Sequence, residues 1–184
     1  MNLMMKNKTK ITDFFSVINY IDILKQDMSM HKDVNSRLTK KEIKEIEIHQ
    51  GLMLPESYKH FLSKFGDGAY SLYAVDQPIN SINQTHQLGE YRKHLSANIE
   101  TDGFGTFKRE SLLCLMTENS NGGAWVWLTS ENSEKGEWPL AFYNSEDKKL
   151  YYKVSGFTEW LKIATQCKSE VIRELDQSHR LGLG

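Results

Sequence analysis

Cysteine is scarce in this 184-residue chain: Cys114 and Cys167 lie far apart with no CxxC between them. That excludes a disulfide scaffold, a zinc knuckle and a thiol-redox motif, and fits a reduced compartment. Long apolar runs are missing too. Lys6, Lys8 and Lys10 precede Ile11, Phe14, Phe15, Ile18, Ile21 and Leu24 in the manner of a signal peptide, but Asp13, Asn19 and Asp22 interrupt the run. The spacing is that of an amphipathic helix over 11–27. Nothing reaches the roughly 18 apolar residues of a membrane span. The expectation is a cytoplasmic protein without a membrane partner. An excess of basic charge is also absent, with 23 Lys and Arg against 24 Asp and Glu, net −1. A general nucleic-acid binder needs such an excess, so no nucleic-acid partner is expected.

The motifs of common chemistries are missing as well. Gly66-Asp67-Gly68 and Gly103-Phe104-Gly105 lack the spacing of a phosphate loop, and the first follows a helix where such a loop must precede one. Six histidines include no HExxH, and no GxSxG nominates a serine. Cys114, between Leu113 and Leu115 in a strand pattern, reads as a buried inert thiol. Asp67, Asp102 and Glu118 carry no sign of meeting as an acid–base pair. No catalytic residue, cofactor or metal is therefore expected.

What is present is a chain 39% apolar and 11% aromatic. At this length it can bury about 70% of its unfolded surface in a core without staples. The polar stretch 28–38 reads as a linker. Thr39 and Glu42 then form a capping box before Ile43 and Ile46, and Gly51 ends that helix. Leu54-Pro55-Glu56-Ser57 opens a second helix, with Pro55 at its first position and the stripe Tyr58, Phe61, Leu62, Phe65. Tyr70, Leu72, Tyr73 and Val75 suggest a short strand ended by Asp76 and Pro78. Within 79–110 the only pattern is Leu88, Tyr91 and Leu95 on one face of a short helix. Strands are predicted at 111–117, 123–129, 138–144 and 148–154, joined by short turns as an antiparallel meander. Ser155 caps a final helix with the stripe Phe157, Trp160, Leu161, Ala164, Val171, Leu175. The order implies an α+β fold, a mainly antiparallel curved β-sheet flanked by N-terminal and C-terminal helices, and not the βαβ alternation of nucleotide-binding sheets.

Two features stand out. Trp125 and Trp127 share one strand face while Ala124, Val126 and Leu128 share the other. The next strands repeat the doubling: Trp138, Leu140 and Phe142 alternate with Ala141 and Tyr143, and Leu150, Tyr152 and Val154 alternate with Tyr151. Either the N-terminal or the middle helix covers the second face, or part of it is an aromatic binding surface. The second feature is charge: Glu118, Glu131, Glu134, Glu137, Glu146 and Asp147 face a single base, Lys135. These loops are either a solvated rim or a surface that steers a basic partner.

The run Ile46-Glu47-Ile48-His49-Gln50-Gly51-Leu52-Met53-Leu54-Pro55-Glu56-Ser57-Tyr58-Lys59-His60-Phe61-Leu62-Ser63-Lys64-Phe65-Gly66-Asp67-Gly68 resembles the opening of the SUKH superfamily. Gly156-Phe157-Thr158-Glu159-Trp160-Leu161 is similar to the family's terminal helix. The superfamily joins the fungal Smi/Knr cell-wall-assembly regulators with the bacterial Syd protein and many bacterial immunity proteins. The likeness spans about 39–175. Asn119-Ser120-Asn121-Gly122-Gly123 stands where many members carry an aspartate near a strand end. The expected organisation is residues 1–38 as an N-terminal helix and linker outside the likeness, followed by a SUKH-like domain over 39–180. The resemblance implies a non-enzyme that neutralises a bacterial polymorphic toxin, such as a nuclease, by covering its active site. The alternative is a non-toxin scaffold or regulator of the Smi/Knr type. On the toxin reading the partner is the cognate toxin domain, and Trp125, Trp127, Glu131, Glu134 and Glu137 are the candidate contacts. Oligomeric state stays open.

Overall fold

A computed structural model describes residues 37–68, 71–74, 77–118, 123–131 and 136–166, with side chains except at 71–81, 118 and 162–166. The expected helix at 11–27, its linker and the stripe beyond Gln166 lie outside these residues.

The first helix, α1 (Lys40–Gln50), begins as its capping box dictates: the Glu42 amide donates to Thr39 Oγ1 at 3.3 Å and the Thr39 amide donates to Glu42 Oε2 at 2.7 Å. Gly51 ends it with φ +66°, a left-handed conformation that glycine adopts without a Cβ clash. The second, α2 (Glu56–Phe65), starts one residue later than the proline pattern suggests, with Pro55 as its cap. Proline has no side-chain acceptor to offer the first amides, so that cap comes from elsewhere in the chain, as described below.

Strands β1 (Ser71–Ala74) and β2 (Gln77–Ser81) pair antiparallel. Pro78 lies inside β2 rather than ending β1. It is tolerated in a two-stranded ribbon with a register shift at Leu72/Tyr73, where one missing ladder donor costs little. Between Ser81 and Leu112 the chain makes 3-10 turns at Thr85–Gln87 and Glu90–His94, then the short hairpin β3 (Asn98–Glu100) and β4 (Thr106–Lys108). Gly103 (φ +88°) and Gly105 (φ +110°) lie in the hairpin turn. The single helix expected around Leu88 and Leu95 is thus two turns and a hairpin, whose elements are too short to carry a period.

The meander forms as predicted. Strands β5 (Leu112–Glu118), β6 (Gly123–Leu128), β7 (Leu140–Asn144) and β8 (Lys149–Val154) make a four-stranded sheet in that order, all pairs antiparallel. The closing helix α3 (Phe157–Gln166) follows. Ser155 does not cap it by accepting. Its amide and hydroxyl donate to Glu159 Oε2 at 2.8 and 2.6 Å.

The two sheet faces build two cores. On one, Trp125, Trp127, Leu140 and Phe142 pack with Ile43 of α1, Tyr58, Phe61 and Leu62 of α2, and Phe157, Trp160 and Leu161 of α3. On the other, Cys114, Val126, Ala141, Tyr143 and Leu150 pack beneath Leu95, Ile99 and Phe107, with Tyr91 and Phe104 at the margin. The second face is therefore covered, and by the unpatterned segment rather than by a helix. A bulge between Leu140 and Phe142 of β7 and their partners, with Tyr152 at φ +52°, reverses the alternation of β8. Leu150 consequently joins the second core while Tyr152 and Val154 join the first, which corrects the expectation that all three share a face.

Tyr58 sits at the centre of the first core, 0% exposed, edge-on to Trp127 at 4.7 Å and to Phe157 at 5.2 Å. Its hydroxyl meets no hydrogen-bond partner among the described residues. Burying such a group costs about 1–3 kcal/mol. Tyr58→Phe should therefore leave stability unchanged or raise it by about 1 kcal/mol in urea denaturation; a loss of that size would show the hydroxyl to be satisfied.

Candidate partner-binding surface

The structure separates the five predicted contact residues. Trp125 and Trp127 are both 0% exposed under α2 and α3, so no partner reaches them without displacing those helices. They are core, a correction forced by the second layer over their strand. Glu134 lies outside the described residues.

Glu137 is spent inside the molecule. Its Oε1 accepts the Ser57 amide at 3.0 Å and its Oε2 accepts the Ser57 hydroxyl at 2.6 Å. This carboxylate supplies, from 80 residues along the chain, the helix cap that Pro55 lacks, and it complements the positive end of the α2 dipole. Burial pushes the Glu137 carboxyl up, and the two Ser57 bonds pull it partly back. A carboxyl raised in the folded chain binds its proton more tightly there than when unfolded. Its contribution is then full below about pH 4.3 and is lost as pH rises through the folded value. Glu137→Gln should remove that slope, so wild type should lose stability relative to the variant as pH rises above about 4.3 through the raised folded value. Parallel urea curves across that range check it.

Glu131 remains at the surface. It pairs with Lys153 of β8, which also stands over the Phe104 ring at 5.7 Å. The acidic β6–β7 turn is thereby tied at one end to α2 through Glu137 and at the other to β8 through Glu131.

Other carboxylates are occupied individually. Asp67 accepts both the amide and the hydroxyl of Thr85 at 2.8 Å, closing the 3-10 turn, while Asp102 is exposed in the β3–β4 turn. Burial pushes the Cys114 thiol up to about 12, which leaves it protonated and inert. Among the described residues, no group of three His, Cys, Asp or Glu side chains could hold a metal ion. A polar open cleft between Asn83, Gln87, Tyr91 and His94 encloses about 210 Å³, below the roughly 300–1,000 Å³ of small-molecule sites. No helix among the described residues is long and apolar enough to cross a membrane. Among the described residues, the exposed large hydrophobics are Ile48 (70%), near the end of α1, and Met53 (76%), just beyond it.

The helix pair explains the chain's most recognisable motif. Glu47 of α1 accepts the Leu54 amide at 2.9 Å and lies 3.4 Å from Lys59 Nζ, with both side chains less than a fifth exposed. Lys59 also pairs with Glu56. The isoleucine-glutamate end, the leucine-proline corner and the Tyr58-Lys59 turn are thus one lock between α1 and α2. That lock over a four-stranded antiparallel meander closed by a C-terminal helix defines an α+β domain of the SUKH kind. A family model described as SUKH_6, SMI1-KNR4 cell-wall, matches residues 40–161, and the chain belongs to that family. No curated protein matches the chain.

Proposed function

We propose that this protein is an immunity protein, a non-enzyme that binds a cognate bacterial toxin and covers its active site. The observation that carries the reading is the family match over residues 40–161, which spans the helix lock and the whole meander. Acidic turns suit a partner with a basic cleft, such as a nuclease, because opposite charge raises the encounter rate. The proposed domain runs over 39–180, with 1–38 as an appended helix and linker, in the cytoplasm. Of the five candidate contacts, Glu131 and Glu134 retain the steering role. The family's description as SMI1-KNR4 cell-wall supports a second reading, a protein-binding regulator of the Smi/Knr type.

Co-expression with the C-terminal domain of a polymorphic toxin encoded beside this chain separates the two. Rescue of growth and co-purification are expected; failure of both would leave the regulator. In the purified pair, Glu131→Lys with Glu134→Lys should slow association about tenfold at low salt, with the effect shrinking as salt rises. Stopped-flow mixing at two ionic strengths reads it.

A further inference from the structure

We propose that the outer edge of β8, with the β3–β4 turn beside it, is the docking surface, and that it takes a protein segment presenting arginine or lysine. This deepens the partner-binding reading and rests on it. The backbone assembles the surface from distant parts of the chain. Thr101 bridges Leu150 in parallel, and the Asp102 amide donates to the Leu150 carbonyl at 2.9 Å, which seats the β3–β4 turn against β8. Tyr151 and Tyr152 are each only partly buried there, while Phe104, at the margin of the second core, lies under the Lys153 ammonium. The bulge turns the backbone at Tyr152, so the rings of Tyr151 and Tyr152 come within 6.0 Å of each other.

Charge identifies the occupant. Lys149 pairs with Glu100, and Lys153 pairs with Glu131, which leaves, within the described turns 101–105 and 145–148, exposed Asp102, Glu146 and Asp147 against Lys148. Asp147 accepts the Tyr151 hydroxyl, and the backbone bond from Asp102 to Leu150 brings the second acidic turn beside the residue preceding that tyrosine. An acidic rim around half-exposed aromatics repels phosphate backbones and receives guanidinium groups, which pair with carboxylates and stack on aromatic faces. Half-buried tyrosines supply contact area with little side-chain entropy to lose.

Two arms test the proposal. In the first, ¹⁵N-labelled protein is titrated with an (Arg-Gly)4 peptide and, as control, a (Glu-Gly)4 peptide. Shifts confined to about residues 100–105 and 145–153 with the arginine peptide alone are expected; shifts centred elsewhere, or none, overturn the surface. In the second, Asp102→Lys with Glu146→Lys is mixed with the adjacent toxin domain. Both side chains are exposed and neither accepts a hydrogen bond among the contacts described, so the variant should keep the wild-type melting curve. At least tenfold weaker binding is expected, while unchanged binding overturns the surface and leaves the immunity reading standing. If the toxin domain binds neither form while the peptide still maps to the edge, the immunity reading falls and the surface stands.

Discussion

Trp127→Ala should destabilise the protein by about 3–5 kcal/mol, the range for emptying a buried Trp site. Trp127 is 0% exposed and touches Tyr58, Trp138 and Phe157 from β6, so its ring joins the sheet to α2, to α3 and to the segment entering β7. No side chain of α2 can follow into the space, because Tyr58 is already wedged edge-on between Trp127 and Phe157. Against a whole-domain stability of about 5–15 kcal/mol, such a loss removes about a fifth or more. Urea denaturation measures it directly. The result also decides between the two sequence readings of this residue: a surface contact would lose partner affinity with an unchanged unfolding midpoint. A loss below about 1 kcal/mol would contradict the packing described above.

Gly123→Ala is expected to be nearly as damaging for the opposite reason. Gly123 opens β6 opposite Asn144 of β7 and Glu118 of β5. A Cβ there would collide with Phe142 Cζ and with the Tyr143 carbonyl oxygen, and would lie 2.7 Å from Phe142 Cε2. A ring can turn aside, but a backbone oxygen within the ladder moves only with its strand. Overpacking of this kind costs about 1–3 kcal/mol and more where the backbone must shift, so a value near 3 is expected. Adding Phe142→Leu separates the two collisions. It should restore only part of the loss, because the carbonyl contact remains; full restoration would place the whole cost on the ring.

The local elements of this protein are legible in its residues because each is specified by neighbours. Thr39 and Glu42 define a helix start, Gly51 its end, and alternating apolar residues define the four meander strands, all within a few positions of one another. The helix lock is legible as a motif, but the reason for it is not: Glu47 is one more acidic residue on a helix until the turn brings the Leu54 amide and Lys59 to it. The contact candidates divide the same way. An acidic, tryptophan-bearing region is visible in the order of residues, but whether a tryptophan faces a partner or a helix depends on what lies over it.

The sequence alone therefore determined α1, α2 and α3, the meander and its order, the family, and the near-balance of charge, since these depend on short-range periodicity, caps and composition. The tertiary structure alone decided which faces are closed. The segment between Ser81 and Leu112 covers the second sheet face with pieces too short to show a period. A single bulge at Tyr152 inverts the facing of β8, which strict alternation cannot foresee. Glu137 becomes a helix cap because α2 begins at a proline and takes its acceptor from 80 residues away.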